Sequence, residues 1–271
     1  KRHEGGNPLE AQAQELLDEL EYRGGSGGSS GGGRGKAGIK WVKIRGGSFM
    51  MGSNDGDSDE KPVHKVRLKS FFISKTEVTV GQYRACVKAG KCSSSAVSSC
   101  NFGSPNWTDQ VGSKEDHPIN CIDWNQARTF AKWAGGDLCS ESQWAYSAKA
   151  GKNFKYSGSN DEDEVAWYGN NSGGSTHPVG KKKKNAWGLY DMSGNVWEWT
   201  LDEYKSSYSG APANGLPVCS TPTCRQKASR RVCRGGCWGS FARYLRVAGR
   251  YYDAPDFRNG NLGARLCRTF P

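Results

Sequence analysis

The chain has 271 residues and a net charge of +11, a length that allows one large domain or two small ones. No stretch approaches the ~20 consecutive apolar residues of a membrane span, and no signal peptide is present, so a mature or trimmed form is expected. Acidic and basic residues are interspersed, and the one dense basic run, 181–184, reads as a solvated loop, so the charge does not mark a nucleic-acid surface.

Residues 1–38 look separate from the rest. LEAQAQELLDELEYR, 9–23, places Leu9, Leu16, Leu17 and Leu20 on one side of a helix, and a Gly/Ser run at 24–35 follows. The segment reads either as a tether or as a small helix docked on the globule. A domain over 39–271 is expected beyond it. WVKI and SFMMG are short strands, and KVRLKSFFISKTEV continues in β-rich alternation. Three helix starts then share one signature: Thr79 with Gln82, Asp123 with Gln126, and Ser140 with Gln143 are capping boxes or a close analogue. Each pattern closes at a glycine, Gly90, Gly135 and Gly151. The first helix should bury Tyr83 and Val87, the second Trp124, Ala127, Phe130 and Ala131, and the third Trp144, Ala145 and Ala148. Few helices among short strands and long loops make an α+β pattern.

Ten cysteines are many for a cytosolic chain and few for a disulfide scaffold. Cys86, Cys92 and Cys100 form one group, and Cys219, Cys224, Cys233 and Cys237 another, without paired CxxC spacing. Disulfides are expected, but spacing does not give their connectivity. In NAWGLYDMSGNVWEWTLD, 185–202, Trp197 and Trp199 alternate with Glu198 as in a half-buried strand. Asp191 and Glu198 either offer carboxylates to a hard cation such as Ca²⁺ or are a turn cap and a surface residue.

The C-terminal stretch 231–268 is of another kind. From Gly239 to Pro271 it contains no Lys, Glu, Gln, Trp or Met. These five are the residues that no codon ending in a pyrimidine encodes, which points to the coding and not to packing; the alternative is an Arg/Tyr-rich C-terminal strand and turn whose missing residue types are chance. Gly235, Gly236, Trp238, Ala242, Arg246, Ala248, Arg250, Pro255, Arg258, Gly263 and Arg265 look fixed, and runs rich in Tyr, Phe, Ser, Gly, Asp and Asn fill the gaps between them. That filling has paratope chemistry.

WVKIRGGSFMMGS, DEKPVHKV, KTEVTVGQY, HPINCIDWNQARTFAKWAG, DLCSESQWAYSAKAG, NAWGLYDMSGNVWEW, RGGCW and NLGARLCR together resemble, in order, the sulfatase-modifying-factor domain of formylglycine-generating enzymes. The resemblance implies a C-type-lectin-like fold with little regular secondary structure. It also implies a structural calcium site at Asp191 and Glu198 by side chain and Gly194 and Val196 by carbonyl. Those enzymes oxidise a substrate cysteine with two cysteines after the RGGSW-like block; aligned on Gly235 and Gly236, the positions here hold Ser240 and Leu245, so neither catalysis nor copper is expected. The C-terminal segment resembles the variable region of proteins diversified by retroelements, treponemal surface lipoproteins among them. This second resemblance implies fifteen varied, ligand-binding positions: Gly239, Ser240, Phe241, Arg243, Tyr244, Val247, Gly249, Tyr251, Tyr252, Asp253, Ala254, Phe257, Asn259, Gly260 and Asn261. The partner implied is a protein or other macromolecule and not a nucleic acid, met at a cell surface or outer membrane where the protein is held by a lipid anchor outside this chain. The fixed alanines, Pro255 and arginines should face inward and the varied residues outward together.

Overall fold

Three capping boxes set where the helices begin. In the computed structural model, which describes residues 36–219 and 230–269, they open α1 (Val80–Lys88), α2 (Trp124–Trp133) and α3 (Glu141–Lys149). Thr79, Asp123 and Ser140 each accept from the backbone N–H of the Gln three residues on, whose side chain accepts from the cap's own N–H. Two amides that a helix start leaves without partners are thereby satisfied. Gly90, Gly135 and Gly151 follow the helices in left-handed conformations. α2 and α3 bury the expected residues; α1 buries Tyr83 and Cys86, while Val87 is only partly covered. A single turn, α4 (Glu162–Val165), is the remaining helix among the described residues.

The strands are β1 (Trp41–Ile44), β2 (Gly47–Met51), β3 (His64–Leu68), β4 (Phe71–Ser74), β5 (Asp137–Leu138), β6 (Trp197–Glu203), β7 (Arg231–Arg234), β8 (Arg250–Asp253), β9 (Leu262–Ala264) and β10 (Leu266–Thr269). They form a sheet of order β1-β4-β10-β5, the hairpin β2-β3, and a sheet of order β8-β7-β6-β9. β6 pairs antiparallel with β7 and parallel with β9, Trp197 lying opposite Leu262. The expected half-buried alternation in β6 is not found: all seven of its residues are buried. Trp124 donates from its indole to the Thr200 carbonyl, and Trp144 donates to the Glu198 carboxylate, so helix side chains cover the strand where solvent was expected.

One core cluster gathers around Trp199 and Phe130, and a second around Trp144 and Ile73. Disulfides join Cys86 to Cys92, Cys100 to Cys121 and Cys139 to Cys267, and Cys219 is also bonded. Cys233 and Cys237 are free and buried. The expected N-terminal helix and the Gly/Ser run lie outside the described residues. Lys36–Gly38 forms a short 3-10 turn whose Ala37 packs on the core.

The C-terminal segment contributes β7 to β10, and its arginines also hold it to the scaffold. Arg246 pairs with Glu60, Arg258 with Asp123, and Arg265 with Glu198. Arg250 reaches both oxygens of Glu141 at 2.7 and 3.0 Å, and Arg234 lies 3.4 Å from the same carboxylate. Burial alone would raise the Glu141 carboxyl, but Arg250 and Arg234 hold it below its usual range. Breaking a buried pair strands the partner's charge and costs about 3–5 kcal/mol. Glu141→Gln is therefore expected to lower unfolding free energy by about that amount in urea denaturation, with the denaturant slope unchanged.

Candidate binding pocket

Beyond β7 the chain turns through Gly235 and Gly236, both at positive φ. A Cβ on Gly236 would lie 2.6 Å from Leu245 Cδ2, so only glycine lets the chain pass over that buried side chain. A 3-10 turn, Ala242–Leu245, leads to β8, and a second loop returns the chain to β9. β8 pairs with β7 and β9 with β6, so the loops at 238–241 and 254–261 meet beside the same sheet. A third loop joins them: Gly260 N–H donates to Phe102 O at 2.8 Å, Asn101 N–H to Arg258 O at 2.9 Å, and Cys121 N–H to Asn259 O at 3.0 Å. The Cys100–Cys121 disulfide anchors that loop.

Together they enclose a pocket of about 520 Å³. Nine of the fifteen varied positions line it: Gly239, Ser240, Phe241, Tyr244, Tyr251, Asp253, Phe257, Asn259 and Asn261. Phe102, Trp197, Cys237 and Trp238 complete the wall. Tyr251 stacks on Trp197 with ring centroids 5.1 Å apart, and the Trp238 indole N–H donates to Gly260 O at 3.1 Å. Phe241, 71% exposed, stands at the mouth. Arg243 is exposed beside it, its guanidinium donating to the Tyr244 hydroxyl at 2.8 Å. Tyr252 lies outside the lining, packed on Tyr204 at 4.1 Å, and Ala254 is exposed.

Four varied positions do not face outward. Ser240 is buried on the pocket floor, its Oγ accepting from Cys237 N–H at 3.0 Å. Val247 belongs to the core cluster around Trp144. A Cβ on the buried Gly249 would come within 3.2 Å of the Arg246 carbonyl, and one on Gly260 within 3.0 Å of the Gly103 backbone. The restricted alphabet marks where codons vary and carries no information on where the backbone is crowded. Conversely, the sequence reading missed Phe102 and Trp197 as pocket walls. Phe102 had a signal, a large apolar residue in the polar run NFGS beside a cysteine.

Asp253 is the one acidic side chain in the lining, and no basic side chain lines the pocket. Among the described residues nothing donates to or pairs with its carboxylate, and burial pushes its carboxyl up to about 6 from 3.8.

At the four residues expected to hold calcium, both carboxylates already have protein partners. Glu198 is fully buried and accepts from Arg265 Nε at 2.9 Å and from the Trp144 indole at 2.5 Å. Asp191 accepts from Gly180 N–H at 2.7 Å, and the amide of Val196 donates to Glu77 at 3.1 Å. Arg265 thus supplies the positive charge at Glu198, and a cation there would press against its guanidinium. Among the described residues no group of three His, Cys, Asp or Glu side chains is arranged to hold a metal. Burial, then the nearby Asp191 and Glu198, hold the Glu77 carboxyl well above its usual range.

Leu245 is fully buried against Tyr156 and Tyr168. Burial raises both free thiols, Cys233 and Cys237, and so disfavours the reactive thiolate.

Residues 34–270 match the model of the sulfatase-modifying factor enzyme 1-like domain. The formylglycine-generating enzyme of Streptomyces coelicolor is 30% identical over 83% of this chain and 87% of its own length. Among solved structures, PvdO from Pseudomonas aeruginosa superposes with a TM-score of 0.71 at 28% identity, over 90% of this chain and all of its own. Treponema denticola variable protein 1 superposes with a TM-score of 0.68 at 28% identity, over 84% of this chain and 94% of its own.

An acid whose folded pKa is raised weakens the fold at pH above that value, and the penalty vanishes below the unfolded value. Asp253→Asn is therefore expected to raise the Tm at about pH 8, the gain fading as pH falls through about 6 toward 4. Thermal melts across that range check it; a lower Tm at the alkaline end would mean that the carboxylate has a stabilising partner.

Proposed function

Because this chain belongs to the sulfatase-modifying factor family, with its C-type-lectin-like fold, we propose that it is a ligand-binding variable protein that uses the family's frame for display and not for catalysis. The reading extends to display on a cell surface through a lipid anchor outside this chain, to diversification by a retroelement, and to a macromolecular partner. One observation carries it: within a segment of restricted alphabet, nine of the fifteen positions that the variable-region resemblance implies line one aromatic pocket. Variation at those positions and a pocket built from them are what a binding role would require together. The similarity in fold to a treponemal variable protein agrees.

The formylglycine-generating relative favours the competing enzymatic reading. Against it stand a hydroxyl at Ser240 and a buried isobutyl at Leu245, neither able to supply a thiolate. No oxidation of a cysteine-bearing sulfatase peptide is expected from the purified protein supplied with oxygen and copper; turnover at the rates of the relatives would overturn the display reading. Sequencing the locus is the direct test. A near-identical copy of the 239–261 coding segment, with adenines in the first two codon positions of the varied residues and a reverse-transcriptase gene beside it, is expected. Its absence would contradict diversification.

A further inference from the structure

Resting on the reading of the pocket as a binding site, the composition of its wall narrows the ligand. Seven of the thirteen lining residues are aromatic: Phe102, Trp197, Trp238, Phe241, Tyr244, Tyr251 and Phe257. Aromatic faces carry negative electrostatic potential and attract cations, more strongly when water is excluded. Asp253 sits in the same wall, half-buried, with no counter-charge among the described residues. A carboxylate taken partly out of water without a partner is costly, and a positive ligand would remove that cost. The rings at the mouth already hold a cation, since the Arg243 guanidinium lies 4.7 Å from the centre of Tyr244 and 5.8 Å from that of Phe241. The volume of about 520 Å³ is in the range of small-ligand sites and exceeds what one ammonium group needs. We propose that this pocket is an aromatic cage for an alkylammonium group, with Asp253 as its counter-ion.

A neutral ligand such as a sugar ring would also stack on aromatic faces, so charge must be isolated from shape. Choline and 3,3-dimethyl-1-butanol have nearly the same shape, and the alcohol replaces the quaternary nitrogen by carbon. Tryptophan fluorescence, reporting from Trp197 and Trp238, follows the titration of each. Choline is expected to bind saturably and at least about tenfold tighter than the alcohol. Asp253→Asn should remove most of that preference, and Phe241→Ala should weaken choline while leaving the Tm nearly unchanged. Nα-acetyl-trimethyllysine and phosphocholine separate the two sources of such a group, a protein side chain and a lipid headgroup; tighter binding of either supports the cage and names its source. Equal binding of choline and the alcohol, an unchanged preference in Asp253→Asn, or no saturable binding of choline would each overturn the cation assignment. Binding of the alcohol alone would do so while leaving the pocket a ligand site, and the locus test is unaffected by any of these outcomes.

Discussion

Four carboxylates contributed by distant parts of the scaffold, Glu60, Asp123, Glu141 and Glu198, each receive an arginine from the C-terminal segment. Three of them are 2% exposed or less. A buried ion pair gains little net stability, because desolvation offsets most of the attraction, but it penalises every arrangement in which one charge is left alone. Such pairs therefore add to the backbone ladders of β7–β10 in selecting one path for the segment. Between the pinned points, at 246, 250, 258 and 265, Val247, Leu262 and Ala264 add core contacts, while Tyr251, Asp253, Phe257, Asn259 and Asn261 line the pocket.

The pocket has the consequences of that division. Trp197 lies on a strand buried along its whole length and Phe102 on a disulfide-anchored loop, so both are set by the scaffold. Phe241, Tyr244, Tyr251, Asp253 and Phe257 come from the varied set. Under the proposed variation, such a wall would keep its depth and apolar character while its polar contacts change. The same frame places Ser240 and Leu245 where the oxidising relatives are expected to carry cysteines. Leu245 is core, packed beneath Gly236.

What the sequence made legible is what depends on near neighbours. Thr79, Asp123 and Ser140 with a glutamine three residues on identify helix starts because a cap is local chemistry, and all three are observed. The inward-pointing arginines were legible because a regular alternation of frame and filling implies two faces. What failed depends on residues far apart in the chain. Asp191 and Glu198 flank one turn and read locally as a carboxylate pair, but the arginine on Glu198, Arg265, arrives from 67 residues on. Cys139 and Cys267 are 128 residues apart and no spacing rule joins them. β6 was misread as half-exposed because α2 and α3 cover it. Ser240, Val247, Gly249 and Gly260 were counted as displayed because a codon pattern is blind to burial.

The central claim is that arginine pins on buried carboxylates free the loops between them to vary. It is tested most directly by a protease-resistance screen of a library in which each position from 239 to 265 is replaced in turn by the residues that pyrimidine-ending codons encode. The account expects resistance to survive nearly all replacements at Phe241, Arg243, Tyr251, Asp253 and Ala254, and to be lost at Arg250 and Arg265 and for most side chains at Gly260. Uniform tolerance that includes the arginines, or loss of resistance at the exposed positions as readily as at the pins, would contradict it.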